Sequence, residues 1–458
     1  MAGDCALRQA VDKGNLTPGP DTVILPAGQY FLKIPGSGED EVGDLNVVEG
    51  KLAVQGAGAR KSIIDAGKIE SRIFEVKPGT GLSLSGSTVT GGNTEDDGGG
   101  IFVEEAPLNL DGVSVSANES FNSGEGGGIF SEEAEVTIRA SSISGNRNSG
   151  DGGGIAAYGK EHGVLSIENS TLADNVVDTS LYPGKPGWGA YGGAMEGSVG
   201  QTTLRNVTIE GNSIRDGNGG EEGSGAAISA EPKPGVVFNV VNTIIFGNTA
   251  TLTEEFGECI APLTSEGHNL EGPEPAGEPR CFEAASDLIA NPLLGALANN
   301  GGEADTLALT AGSPAIDTGD ASRCPATDQC GVPRPQFSGC DIGAFELAPA
   351  PVVPPPVSVA TLKFKKVKRN LKKGTVTILA QVSGPGQLTV TGKKVVKVKR
   401  NATGAQVVKL VVRARGKAKK TLSEMGKVKV RLKAVFVPSG GGAAVSKTKS
   451  VVLKRKLH

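Results

Sequence analysis

LNLDGVSVSAN (108–118), VTIRASSISGN (136–146) and LSIENSTLADN (165–175) are three copies of one pattern. Two apolar residues flank a single position; four spacers follow, then an apolar residue, two spacers and an asparagine. Working outward, LSLSGSTVTGG (82–92), TTLRNVTIEGN (202–212) and FNVVNTIIFGN (238–248) extend the set to six, with final positions 26, 28, 29, 37 and 36 residues apart. Between copies recurs a second motif, three small residues then an apolar one: Gly98–Ile101, Gly126–Ile129, Gly152–Ile155, Gly192–Met195 and Gly225–Ile228.

Apolar residues alternating over three positions, bounded by glycine and asparagine, read as short strands. No stretch between residues 50 and 250 sustains a helical period. Each copy offers about three short strands and cannot bury its apolar side alone, so the copies must stack, like residue over like. A repeat of 26 residues is too short for a propeller blade of roughly 40. Constant apolar columns with variable gaps predict a parallel β-helix whose insertions leave at one turn.

Two columns follow from the stacking. The asparagines read either as turn residues satisfying one another or as a ligand-contacting ladder. Asp111, Arg139, Glu168 and Arg205 should point outward with alternating sign, as a ladder of exposed ion pairs or, if one arginine is catalytic, as part of a site.

The 458 residues contain 68 glycines and 26 prolines, enriched but without a collagen period. No apolar run is long enough for a membrane helix. The net charge of −4 conceals two parts of opposite sign: residues 358–458 hold 27 lysines and arginines and one acid, Glu424, leaving −30 for residues 1–357. The proline-rich stretch 348–357 joins them as a semi-rigid spacer. The basic part alternates apolar and polar residues (Val376/Ile378/Ala380/Val382, Val428/Val430/Leu432) between turns at Asn370, Gly384–Gly386, Asn401–Gly404 and Pro438–Gly442, which predicts an immunoglobulin-like β-sandwich.

All six cysteines precede the spacer at spacings that fit no zinc site, so they read as mostly disulfide and place the chain in an oxidising setting. Met1 opens with no basic-then-apolar leader, and an export signal is expected outside this sequence.

Several blocks carry a resemblance. Asp4–Ala10 (DCALRQA) resembles a diverged CSLREA motif, and Pro20–Tyr30 continues it. Asn291–Leu294 (NPLL), Asn299–Gly302 (NNGG), Gly312–Asp317 (GSPAID) and Cys340–Glu346 (CDIGAFE) resemble the choice-of-anchor type Q region. Together they resemble bacterial secreted or surface right-handed parallel β-helix proteins of the pectin-lyase-like superfamily. The departure is Asp328-Gln329-Cys330-Gly331, where the family usually reads DQRG. The resemblance implies export and a surface role, without a common activity. Beside it, Cys259–Cys281 and Cys324–Cys340 are the preferred disulfides, leaving Cys5 and Cys330. The expected organisation is a β-helix with an N-terminal cap over 1–257, its disulfide-bonded end over 258–347, the linker 348–357 and the basic sandwich 358–458.

Asp97, Glu125 and Asp151 each precede a small-residue motif and should form an acidic column. That column is either a Ca²⁺ site, which would serve a polysaccharide lyase, or a solvated face. Glu104/Glu105 and Glu132/Glu133 form a shorter one. The longest insertion, Val176–Tyr191, carries Tyr182, Trp188 and Tyr191, with Tyr158 and His162 in the loop one rung earlier. These aromatics suit stacking on sugar faces, or else fold back against the solenoid.

The expectation is an extracellular or cell-surface monomer that binds polysaccharide or surface glycan without catalysis. Its basic part would tether it to an anionic wall polymer or membrane surface. A Ca²⁺-dependent polysaccharide lyase or a glycoside hydrolase is the alternative, and a structural spacer the second. Few aromatics accompany the basic residues, so sequence-specific nucleic-acid binding is not expected.

Overall fold

The computed structural model describes all residues except 1–2, 18, 34–42, 160–162, 182–189, 216–222, 231–234, 252–256, 261–262, 274–278, 350–359, 440–442 and 458, and of 3–6 only the backbone. The chain divides into two units, Met1–Pro349 and Ala350–His458, at the proline-rich stretch.

The first unit is a parallel β-helix. Its first sheet has nine strands, from Pro20–Leu25 to Leu263–Ser265; the second has eight, from Leu45–Val47 to Cys259–Ile260; the third has ten, from Gly28–Phe31 to Leu288–Ile289. The register is the one the repeats dictate. Leu108 pairs with Leu82 and Val136, Leu110 with Leu84 and Ile138, and Val115 with Val89 and Ile143. These side chains are buried and form one continuous apolar core.

Each small-residue motif is the corner before a second-sheet strand. Gly126 has φ 62°, and a Cβ there would lie 2.3 Å from the Ile129 carbonyl oxygen. The neighbouring Gly127 has no room either, since its Cβ would meet the Gly153 oxygen of the next rung at 2.5 Å.

The asparagine column is structural and buried. The Nδ2 group of Asn118 donates to Asn146 Oδ1 (3.0 Å), Asn146 to Asn175 (3.0 Å), Asn175 to Asn212 (2.9 Å) and Asn212 to Asn248 (2.8 Å). The same Nδ2 groups donate to strand carbonyls, as Asn146 does to Val115 O at 3.0 Å. Glu258 closes the ladder, its carboxylate accepting from the Asn248 amide N–H and Nδ2. On the outside, Asp111, Arg139, Glu168 and Arg205 are register partners as expected, and Arg205 pairs with Glu168.

Helix α1 (Gly3–Gly14) forms the N-terminal cap from the CSLREA-like stretch. Leu7 and Val11, one turn apart, enter the core, and buried Arg8 donates to the carbonyls of Gly43 and Asp44. The C-terminal part of the unit does more than end the solenoid. After two further third-sheet strands and the hairpin Leu294–Ala298/Thr306–Leu309, the chain runs back along several rungs. Gln329 bonds to Thr171 and the Ser141 carbonyl, while Asn169, Asn206 and Asn242 donate to the carbonyls of Thr327, Asp341 and Asp320. Buried Arg334 pairs with Glu346 at 3.0 Å and donates to the carbonyls of Asp341 and Gly343. Disulfides join Cys259 to Cys281 and Cys324 to Cys340. Cys330 is a free thiol, half-buried, and burial raises its pKa. The side chain of Cys5 lies outside the described residues.

The second unit is a β-sandwich. Leu362–Asn370, Thr375–Val382 and Gln406–Val412 form one antiparallel sheet. Val398–Ala402, Gly386–Thr391, Lys427–Pro438 and Val445–Lys454 form the other. The inward residues, Val376, Ile378, Leu388, Val390, Val430 and Leu432 among them, make a single core. Helix α2 (Lys417–Met425) was not expected from the strand-like alternation. Ala418 and Leu422, one turn apart and buried, hold it to the sandwich, and left-handed Gly426 (φ 67°) ends it.

Candidate functional site

The outward face of the second sheet combines aromatic rings with half-buried carboxyl groups. Phe102 lies beside Phe130 in the register, and their rings stack at 5.3 Å with planes 9° apart. Tyr158, at the end of the next strand, continues the row at 5.8 Å from Phe130. Alternation explains the placement: Ile101, Val103, Ile129 and Ile155 point into the core, which turns Phe102 and Phe130 outward. Arg72 covers the far side of Phe102 at 4.8 Å, held by Asp44 (4.0 Å), Glu75 (3.4 Å) and Asp96 (3.6 Å).

The acidic column stands at the corner leading into this sheet and stacks as expected. Gly98 N–H donates to the Glu125 carbonyl, Gly126 to Asp151 and Gly152 to Tyr191. The carboxylates bridge rungs in the same way: Asp97 Oδ1 accepts from the Glu125 amide at 2.9 Å, and Asp151 Oδ1 from the Tyr191 amide at 2.9 Å. The Tyr158 phenol lies close enough to Glu125 and Asp151 to influence both carboxyls. Glu196 of the following second-sheet strand is buried and accepts a hydrogen bond from Ser198.

Desolvation dominates the electrostatics. It raises the pKa of Asp97, and it pushes Glu125 to about 7 against the opposing influence of the Tyr158 phenol, with Asp97 and Glu196 adding repulsion. Asp151 rises to about 8, through burial first and then the charges of Glu125 and Glu196. The Tyr158 phenol is raised as well and stays protonated. Near neutral pH this corner therefore holds carboxylic acids able to donate as well as accept hydrogen bonds.

The sequence expectations fare unevenly here. Tyr158 ends the strand Ile155–Tyr158 rather than lying in a loop, because the strand pairs with Met195–Ser198 over its full length. Tyr191, on Ala190–Tyr191, extends the acidic column by one rung instead of standing on a free loop. His162, Tyr182 and Trp188 lie outside the described residues. Among the described residues no group of three Asp, Glu, His or Cys side chains is placed to hold a metal ion, so Asp97, Glu125 and Asp151 are not gathered as a three-carboxylate Ca²⁺ site. Sequence reasoning missed the Phe102/Phe130 stack and Arg72. The signal was present: each phenylalanine directly follows the apolar residue of a small-residue motif, a position that alternation turns outward.

In comparison with known proteins, no family model, no curated protein and no solved structure matches this chain.

Proposed function

We propose that this chain is an exported β-helix protein that binds glycans on the outward face of the second sheet, with its basic unit serving as an attachment module. The observation that carries the reading is the Phe102/Phe130/Tyr158 row set beside carboxyl groups that remain partly protonated near neutral pH. Sugars bind protein by packing C–H groups on aromatic side chains while hydroxyls exchange hydrogen bonds with side chains. Here Phe130 and Arg72 take the two faces of Phe102, so the row offers ring edges beside the carboxyl groups. Two disulfides accord with an oxidising, extracytoplasmic location, as do the CSLREA-like and choice-of-anchor-like blocks. Among the described residues no helix is long and apolar enough to cross a membrane.

One observation favours a second reading, glycoside hydrolysis. An acid with a pKa near 7 next to a second carboxyl is the combination a general acid requires. The test is to incubate the full chain with a panel of neutral and acidic polysaccharides, following loss of protein from solution and release of oligosaccharides by mass spectrometry. Binding predicts depletion with the polymer intact. Products each carrying one added water, lost in Glu125→Gln, would establish hydrolysis. No depletion and no products across the panel would overturn both readings and leave a structural spacer.

A further inference from the structure

The basic unit carries a cleft of about 890 Å³ between the sheet containing Gln406–Val412, helix α2 and the end of the last strand. Six cations line it: Lys373, Lys409, Arg413, Arg415, Lys419 and Arg455, all exposed. Lys409, Arg413 and Arg415 alternate along one extended stretch and so share a side. The Arg415 amide donates to the Lys394 carbonyl and the Arg413 carbonyl accepts from Val396, which fixes that stretch. Arg455 Nη1 donates to Ser423 Oγ at 3.1 Å, holding its guanidinium at the cleft with further N–H groups free to act. The floor is partly apolar, formed by Val396, Val411, Ala414 and Leu422.

None of the six cations forms an ion pair among the described residues. The unit's single acid, Glu424, is engaged by Lys420 at 3.9 Å. Protection of sheet edges requires only scattered lysines, and six convergent charges on a partly apolar floor exceed that need. Low-dielectric walls lined by one sign of charge concentrate the field inside a cleft. Guanidinium forks match tetrahedral oxyanions in pairs of hydrogen bonds.

We propose that this cleft binds a linear, base-free polyanion bearing closely spaced phosphate or sulfate groups, threaded as an extended chain. It rests on the reading of the basic unit as an attachment module and not on the sugar-facing sheet. The concave shape selects a chain over a flat lipid surface. The lining contains no aromatic ring, so the cleft lacks the base-stacking platform that single-stranded nucleic acid uses.

The test uses the full chain and two labelled probes, inorganic polyphosphate and a dextran sulfate oligosaccharide, with affinity followed by fluorescence anisotropy over a range of salt. Arg413→Gln/Arg455→Gln should weaken binding about tenfold or more and lower the salt slope by roughly 0.7–0.9 for each lost contact. Lys365→Gln/Lys399→Gln removes equal charge from exposed positions outside the cleft lining and should change affinity less than about twofold. All these sites are exposed, and thermal unfolding checks that both pairs fold. Equal loss in the two pairs would overturn the cleft in favour of diffuse attraction. Tighter, equally cleft-dependent binding of single-stranded DNA or of phosphatidylglycerol vesicles would overturn the polymer. Retention on neutral polysaccharides is a separate readout, so failure of the cleft and failure of the glycan face are distinguishable.

Discussion

Replacing Asp151 by asparagine should make the β-helix less sensitive to a rise in pH from about 4 to about 8. The Asp151 carboxyl moves from an ordinary 3.8 to about 8 because burial penalises its charge and Glu125 and Glu196 repel it. A group whose folded pKa lies above its unfolded value favours folding below the unfolded pKa, and that contribution is lost as pH rises through the folded one. At about 1.4 kcal/mol per unit, the upper limit is ~6 kcal/mol. The side chain is half-buried, and solvent screening reduces this to roughly 2–3 kcal/mol. Asparagine keeps the oxygen that accepts from the Tyr191 amide and carries no charge. The two proteins should therefore be of similar stability near pH 4, with the variant gaining ~2–3 kcal/mol by about pH 9. The assay is urea unfolding at a series of pH values, followed by far-UV circular dichroism. Parallel stability profiles for the two proteins would refute the argument.

Three other substitutions probe the scaffold. Asn175→Ala breaks the ladder in its middle and strands buried donors and acceptors on two rungs; urea unfolding should show a loss of about 2–4 kcal/mol. Arg334→Met leaves the Glu346 carboxylate buried without its ion-pair partner and should cost about 3–5 kcal/mol, whereas Arg334→Met/Glu346→Gln, which removes the charge and keeps an acceptor oxygen for the Gln336 and Asp341 amides, should recover part of it. Gly126→Ala forces a Cβ against the Ile129 carbonyl at positive φ, and a loss of about 1–3 kcal/mol in the same assay is expected.

The solenoid was legible because stacking forces each column to keep one residue type. Leu82, Leu108 and Val136 are neighbours in space at the interval at which they recur in sequence. The acidic column was legible for the same reason, since Asp97, Glu125 and Asp151 sit beside a corner that only small residues can form. Its burial and its contact with Tyr158 were not, because they depend on which outward residues of the neighbouring strands converge. Phe102 and Phe130 were visible as residues, but their meaning required the strand register. The return of the chain along the rungs left no periodic trace: Gln329 reaches Thr171 and Ser141 far away in sequence, while Arg334 ties Asp341, Gly343 and Glu346 together locally, and neither contact repeats. Helix α2 hid within a lysine-rich stretch whose only helical cue was the Ala418/Leu422 spacing between two glycines.

The most direct test of the glycan-binding face is native electrophoresis through gels cast with neutral soluble polysaccharides, comparing the unaltered chain, Phe102→Ala and Arg413→Gln/Arg455→Gln. Neutral polymers give the basic cleft nothing to attract. At least one polysaccharide should retard the unaltered chain and the cleft variant alike, with retardation falling several-fold in Phe102→Ala. Free migration in every gel, or retardation of Phe102→Ala equal to that of the unaltered chain, would contradict the account.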